Sequence, residues 1–269
     1  MVFLMSQNPD IDRALAAAQA VASANGLAFD DAVVLAAGSN VLVRFQPAPV
    51  IARVMTGTVV LHGDIETWLT REVAAGTFLG ERGVAAPPTH LLPPGPHEFD
   101  GLWMTFWEFV EHEATLPAAD ELGRSLRAFH GAFAEYSGEL GRLGDIRDWL
   151  AGLTDDPQLH ARLQELTPTV FESSLPAQGI HGDACMGNLL RTGSGMLWND
   201  LEDVCRGPVQ WDVAGLVAEA RDIGRGEAFV EEFLDAYGGP ALDELGDFIA
   251  AHDLYSQIWQ THAASQRTP

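Results

Sequence analysis

The rhythm of apolar residues changes near residue 110, and that change restricts the chain to a two-part architecture. Before it, short β-rich runs at 32–37, 41–45, 50–55 and 102–106 alternate with turn residues. Gly38-Ser39-Asn40 separates the first two runs and Gln46-Pro47-Ala48-Pro49 the next two. This spacing predicts a small antiparallel sheet with tight turns. Two helices are expected with it. Residues 9–25 place Ile11, Leu15, Ala18 and Val21 on one face and end at Gly26. The other starts from a cap at Asp64, runs to about Arg82 and stops at Gly83. The proline-rich stretch 87–96 reads as a loop. After residue 110 the pattern turns helical: Leu122, Leu126, Phe129, Phe133 and Tyr136 step by 4, 3, 4 and 3. Further helices are expected at 145–152, 156–166, 209–223, 226–237 and 241–264, with short strands and loops between 178 and 200.

Composition narrows the chemistry. A chain of 269 residues suffices for one large domain or two small ones. The net charge of −23 argues against a nucleic-acid partner, because phosphate backbones select basic surfaces. All 15 basic residues are Arg and none is Lys, which excludes a Walker A phosphate loop and any Schiff-base mechanism. Two cysteines, Cys185 and Cys205, are too few for a disulfide framework. The apolar start MVFLM is too short for a signal peptide, and no apolar run reaches a membrane-spanning length. A soluble, cytoplasmic protein is expected, acting as a monomer or weak homodimer.

The densest chemistry lies in His181-Gly182-Asp183-Ala184-Cys185-Met186-Gly187-Asn188, followed by the apolar Met196-Leu197-Trp198 and then Asn199-Asp200. A carboxylate can orient and deprotonate a hydroxyl. An amide oxygen and a second carboxylate can hold Mg²⁺, a hard ion that shares its oxygen ligands with phosphates. The tripeptide HGD alone carries little weight. It also occurs at His62-Gly63-Asp64, where a turn with a capping Asp explains it. The later Asn and Asp give the second copy its meaning.

These segments resemble the aminoglycoside phosphotransferase family of small-molecule kinases. The resemblance rests on the HGDxxxxN of 181–188, on Asp200-Leu201-Glu202-Asp203, and on Gly207-Pro208 with Trp211-Asp212-Val213-Ala214. Asn199 stands where an aliphatic residue is usual, and Leu201 replaces an aromatic one. The resemblance implies an α+β, bilobal protein-kinase-like fold. It would have a small antiparallel-sheet N-lobe over 1–108 and a mostly helical C-lobe over 109–269. It further implies Asp183 as the catalytic base or hydroxyl-orienting residue and Asn188 and Asp200 as Mg²⁺ ligands. His181 and Asp212 would support the loop.

A kinase must also grip its nucleotide. Arg53 on an apolar strand face and Glu72 on a helix stripe with Trp68, Ala75 and Leu79 each need a partner, and pairing them meets both needs. The pair resembles the family's basic strand residue and helix acid, with Arg in place of Lys; a structural ion pair alone is the other reading. Ser39 and Asn40 resemble the family's nucleotide-positioning turn, although such a hairpin is also an ordinary turn. Residues 104–110 would form the crossover between lobes, with an adenine bonding to backbone near Trp107 and Phe109.

The resemblance implies ATP, with GTP not excluded, and Mg²⁺ as cofactors. The partner would be a small-molecule hydroxyl acceptor. The acids available beside it include Glu202 and Asp203. Further acids lie at Glu231, Glu232, Asp235, Asp243, Glu244 and Asp253, and aromatics at Trp211, Phe229, Phe233, Tyr237, Tyr255 and Trp259. Acids with aromatics suit a cationic or sugar-like acceptor, while a solvated acidic surface over core aromatics is the other reading for most of them; antibiotic resistance is one role such an enzyme could serve. Two alternatives remain at this point. One is a nucleotide-binding module of the same fold without transfer activity. The other is a metallophosphoesterase, which would need His-rich metal motifs that the sequence lacks.

Overall fold

A computed structural model describes residues 9–57 and 63–265; His62 of the first HGD lies outside the described residues. The expected α+β fold is the one observed. Contacts divide the chain into two compact units, Met1–Glu81 with Ala86–Glu111, and Arg82–Ala85 with His112–Pro269. The division falls three residues after the expected boundary. The sequence does not mark the assignment of Arg82–Ala85, which follows from backbone pairing: Trp198 donates its N–H to the Val84 carbonyl at 3.0 Å.

In the first unit, β1 (Asp31–Ala37), β2 (Asn40–Gln46), β3 (Val50–Met55), β4 (His97–Phe99) and β5 (Leu102–Glu108) form one antiparallel sheet in the order β1-β2-β3-β5-β4. Alternation sets which face is buried: Val41, Val43 and Phe45 of β2 point into the core with Ala52 and Val54 of β3. Helix α1 (Pro9–Ala24) covers that core with Ala14, Ala17, Ala18 and Val21. Helix α2 (Ile65–Glu81) starts where the Asp64 carboxylate accepts the Thr67 N–H at 3.1 Å. Its buried stripe is Leu69, Glu72, Ala75, Gly76 and Leu79, so Trp68, expected on that stripe, stands at its edge, half-buried.

In the second unit, α3 (Ala119–Phe133) packs on α7 (Glu227–Tyr237) at close range. A Cβ at Gly123 would stand 2.5 Å from the Phe233 carbonyl oxygen, so only glycine fits there. The α3 stripe ends at Phe133, and Tyr136, expected as its last member, lies beyond the helix with its ring 5.4 Å from that of Phe133. Helices α4 (Leu143–Gly152) and α5 (Pro157–Leu166) follow, the latter continuing as a π-turn, Thr167–Phe171. A three-stranded sheet has the order β6 (Gly141–Arg142), β10 (Cys205–Gly207), β7 (Gln178–Ile180). Strands β8 (Leu189–Thr192) and β9 (Gly195–Trp198) form a hairpin. Helix α6 (Gln210–Asp222) packs on α8 (Gly246–Ser265). The single helix expected over 241–264 is a 3₁₀ turn, Leu242–Leu245, followed by α8. No helix among the described residues is long and apolar enough to cross a membrane.

Candidate active site

Strand β7 ends at Ile180 and delivers the 181–188 loop, which closes in a 3₁₀ turn, Met186–Asn188, and runs into β8. Strand β9 then returns and delivers Asn199 and Asp200. One backbone bond fixes the two deliveries together: Asn199 donates its N–H to the Asn188 carbonyl at 2.9 Å. The Asn188 amide nitrogen faces Asp183, 3.1 Å from its carbonyl and 3.4 Å from its carboxylate. With the nitrogen end engaged, Oδ1 is the atom that remains for a cation. Asp200 is exposed and adopts a left-handed backbone with φ of 56°. Only a few residue types tolerate that conformation, and strain of this kind collects at functional positions.

The loop is held from beneath by the start of α6. Asp212 is fully buried; its carboxylate accepts the backbone N–H of His181 at 2.6 Å and of Gly182 at 2.9 Å. It also accepts from His130 Nε2 at 2.8 Å, and His130 Nδ1 lies 2.9 Å from the Tyr237 hydroxyl. Burial alone would raise the Asp212 carboxyl. The His130 hydrogen bond and the backbone N–H of His181 outweigh burial and hold the group below its usual range. The neighbouring Trp211 indole N–H donates to the Gly182 carbonyl at 2.7 Å. Gly182 itself has φ of +85°, and any Cβ there would collide with the Asp203 carbonyl.

His181 is buried between the rings of Phe129 and Trp198. Burial pushes its pKa down, so the ring is neutral. A carbonyl can only accept, so Nε2 carries the proton and donates to the Asn199 oxygen at 3.0 Å. His181 thus ties the 181–188 loop to the residue before Asp200.

The centre of the site is strongly acidic. Asp183 is half-buried, and burial followed by the charges of Asp200, Glu202, Asp212 and Glu219 pushes its carboxyl up to about 8. A divalent cation would relieve that repulsion, and the donor set fits one. Among the described residues no group of three or more His, Cys, Asp or Glu side chains forms a metal cage. Mg²⁺ needs none, since it keeps several waters and takes one or two carboxylates with phosphate oxygens. Glu202 and Asp203 sit half-buried on the 3₁₀ turn Leu201–Asp203. Cys185 and Cys205 are free thiols, and burial, then neighbouring acids, pushes Cys185 up to about 12.

In the first unit, Arg53 of β3 forms an ion pair with Glu72 of α2, their side chains 5% and 1% exposed. Ser39 is exposed in the β1–β2 turn, and its carbonyl accepts the Gly57 N–H at 2.8 Å. Asn40 Oδ1 lies 3.4 Å from the Thr56 N–H. The segment that ends β5, expected to bond an adenine, already has its amides engaged. The N–H groups of Glu108 and Phe109 donate to the carbonyls of Pro87 and Pro49 at 3.0 and 2.8 Å, so the Phe109 amide proton is already in use. The Trp107 indole N–H bonds to Thr105 Oγ1 at 2.9 Å, and Arg44 stacks over the Phe109 ring at 3.4 Å.

Of the aromatics that could read as acceptor walls or as core, three are core: Trp211, Phe233 and Tyr237 are buried among α3, α6, α7 and the loop. Tyr255 and Trp259 of α8 are half-buried and join Trp149 of α4, with ring centroids 5.4 and 6.2 Å from the Trp149 ring. Burial, then the charges of Asp183, Asp203 and Glu202, holds the Tyr255 phenol above its usual range. Sequence reasoning passed over Trp149, His130 and Glu219. His130 carries a weak signal, a polar residue beside Phe129 on an otherwise apolar helix stripe.

Known proteins bear on this arrangement. The profile of the phosphotransferase enzyme family (APH) matches residues 66–248. No curated protein matches the sequence. Among solved structures, the amicoumacin kinase hAmiN, in complex with AMP-PNP, Ca²⁺ and Ami, superposes with a TM-score of 0.75 at 14% identity, over 96% of this chain and 89% of that one. A choline/ethanolamine kinase family protein from Mesorhizobium loti gives 0.65 at 20% identity, over 95% and 87%. The aminoglycoside phosphotransferase APH(3'')-Id from Streptomyces rimosus, with ADP and streptomycin, gives 0.67 at 17%, over 89% and 98%. These likenesses show a shared protein-kinase-like fold. With its family profile spanning most of the chain, this protein belongs to the aminoglycoside phosphotransferase (APH) family of phosphotransferase enzymes.

Proposed function

We propose that this protein is an ATP- and Mg²⁺-dependent kinase of the cytoplasm that moves the γ-phosphoryl group to a hydroxyl of a small cationic or sugar-like molecule. The observation that carries the reading is the braced loop, in which one buried carboxylate, Asp212, holds the backbone that presents Asp183 while Asn188 is tied to Asn199, the residue before Asp200. Asp183 orients the acceptor hydroxyl and takes its proton as the oxygen bonds to the γ-phosphorus and the bond to the ADP oxygen breaks. Asn188 Oδ1 and the Asp200 carboxylate would hold Mg²⁺, which when bound neutralises charge on the phosphates. Arg53, oriented by Glu72, offers a guanidinium suited to phosphate oxygens, and the backbone at Ser39 and Asn40 borders the same strands.

On the acceptor side, Glu202 and Asp203 supply negative charge, and Trp149, Tyr255 and Trp259 supply aromatic faces. That combination favours a protonated amine or a sugar ring. The first test is Mg²⁺-dependent ADP release across aminoglycosides, macrolides, choline and ethanolamine analogues and simple sugars. An acceptor-dependent signal is expected, and Asp183→Asn should cut it by about 10²–10⁴-fold with an unchanged circular dichroism spectrum. Nucleotide binding with no ADP on any acceptor would leave the transfer reading without support. Asp200→Ala should weaken Mg·ATP binding by about tenfold or more in calorimetry; equal affinity in the two proteins would remove Asp200 from the metal site.

A further inference from the structure

Helix α6 meets the catalytic loop twice. Asp212 holds its first residues, and Glu219, two turns further along the same face, accepts the Met186 N–H at 2.7 Å through Oε2. Met186 opens the 3₁₀ turn that ends at Asn188, and the first N–H of such a turn has no partner within it. The Met186 side chain is 1% exposed, and Glu219 is half-buried. A carboxylate is costly to place there: burial raises its pKa, and the Met186 amide only partly offsets this. Its charge also adds to the repulsion at Asp183. A residue kept at such a cost points to what it holds.

From this geometry we infer that Glu219 is a positioning residue, which fixes the Met186–Asn188 turn and thereby holds the Asn188 side chain ready for the metal. The inference rests on the phosphotransferase reading for its metal, but the brace can be tested without it. Once Glu219 is removed, the Met186 amide loses its acceptor and the turn loses its outer anchor. The inner anchors remain, because Asn188 still donates its N–H to the Cys185 carbonyl at 3.0 Å and still accepts from Asn199. The loop should therefore loosen at Met186 and stay folded at Asp183, where Asp212 holds it.

The experiment compares Glu219→Gln, Glu219→Ala and Glu219→Asp in the full chain. Gln keeps an amide oxygen as acceptor and removes the charge; Asp keeps the charge and withdraws the oxygen. The first readout is hydrogen exchange of the Met186 amide in the free protein. Protection should persist in Gln and fall in Ala and Asp. The second readout is the Mg²⁺ concentration giving half-maximal ADP formation, which should rise about tenfold in Ala and Asp and little in Gln. A purely structural role would lower thermal stability and leave the Mg²⁺ response unmoved. Unchanged Met186 exchange in Ala and Asp would overturn the brace, and so would a Gln variant as impaired as Asp. Should Ala not fold, the Gln and Asp pair decides alone. A wild-type protein that forms no ADP would instead overturn the phosphotransferase reading, while the exchange data would still decide the brace.

Discussion

Arg53 and Glu72 illustrate how one pair can be needed for the fold whatever its chemistry. Both side chains are almost wholly buried, and a buried charge without its counterpart costs several kcal/mol. Arg53→Met should destabilise the protein by about 3–5 kcal/mol in urea denaturation. The double replacement Arg53→Met/Glu72→Leu should recover most of that loss, since apolar residues replace a buried pair at little cost. Activity should remain lost in the double variant if Arg53 contacts phosphate. The two departures from the family pattern are explained at the same scale. Asn199 serves the site through its main chain, which bonds to Asn188 and His181, so its side chain can vary. Leu201 is 1% exposed and fills an apolar position with another apolar group.

Among the elements, those with a long apolar period were legible from sequence and those held by distant partners were not. Helix α1, strands β1, β2, β3 and β5, and most C-terminal helices announce themselves by spacing. Strands β4, β6 and β10 have three residues or fewer and exist because a neighbour pairs with them, so no local period marks them. The π-turn after α5 is equally silent, since Pro168 suggests only a stop. The candidate site divides in the same way. Asp183, Asn188 and Asp200 lie within eighteen positions of one another and follow a readable motif. His130, Trp149 and Glu219 come from three separate helices, and only the fold brings them to Asp212, to Tyr255 and to Met186. The α3–α7 contact offers a direct check. Gly123→Val would force these helices apart and, because Tyr237 and His130 sit on them, disturb the brace on Asp212. A loss of about 2–4 kcal/mol in stability is expected from such overpacking and backbone displacement, together with reduced turnover.

At the scale of the whole molecule, three groups show how stability follows pH. His252 is packed on the Trp211 ring, and burial lowers its pKa from 6.5 to about 4. The unfolded chain therefore takes up a proton that the native state refuses, and stability falls as pH drops from about 6.5 towards 4. Glu121 accepts two hydrogen bonds from Arg191, at 2.7 and 2.5 Å, and these chiefly lower its pKa from 4.5 to about 2. Its contribution is complete above 4.5 and disappears towards 2. Asp183 works in the opposite sense. Its raised pKa makes its contribution complete below 3.8 and lost as pH rises through about 8. Thermal melting without divalent cations should show decline on both sides of a maximum. Asp183→Asn should flatten the alkaline side, and Glu121→Gln should lower the midpoint at pH 7 by about 2–4 °C and have little effect near pH 2.

The guanidinium in β3 has a practical consequence for finding relatives of this protein by chemistry. Acyl-phosphate nucleotide probes mark an ATP site by acylating a nearby primary amine, and the chain contains no lysine side chain to receive the tag. Surveys built on such reagents would leave this protein unlabelled however tightly it held its nucleotide. Arg53→Lys, by placing an amine beside Glu72, would make it visible to them.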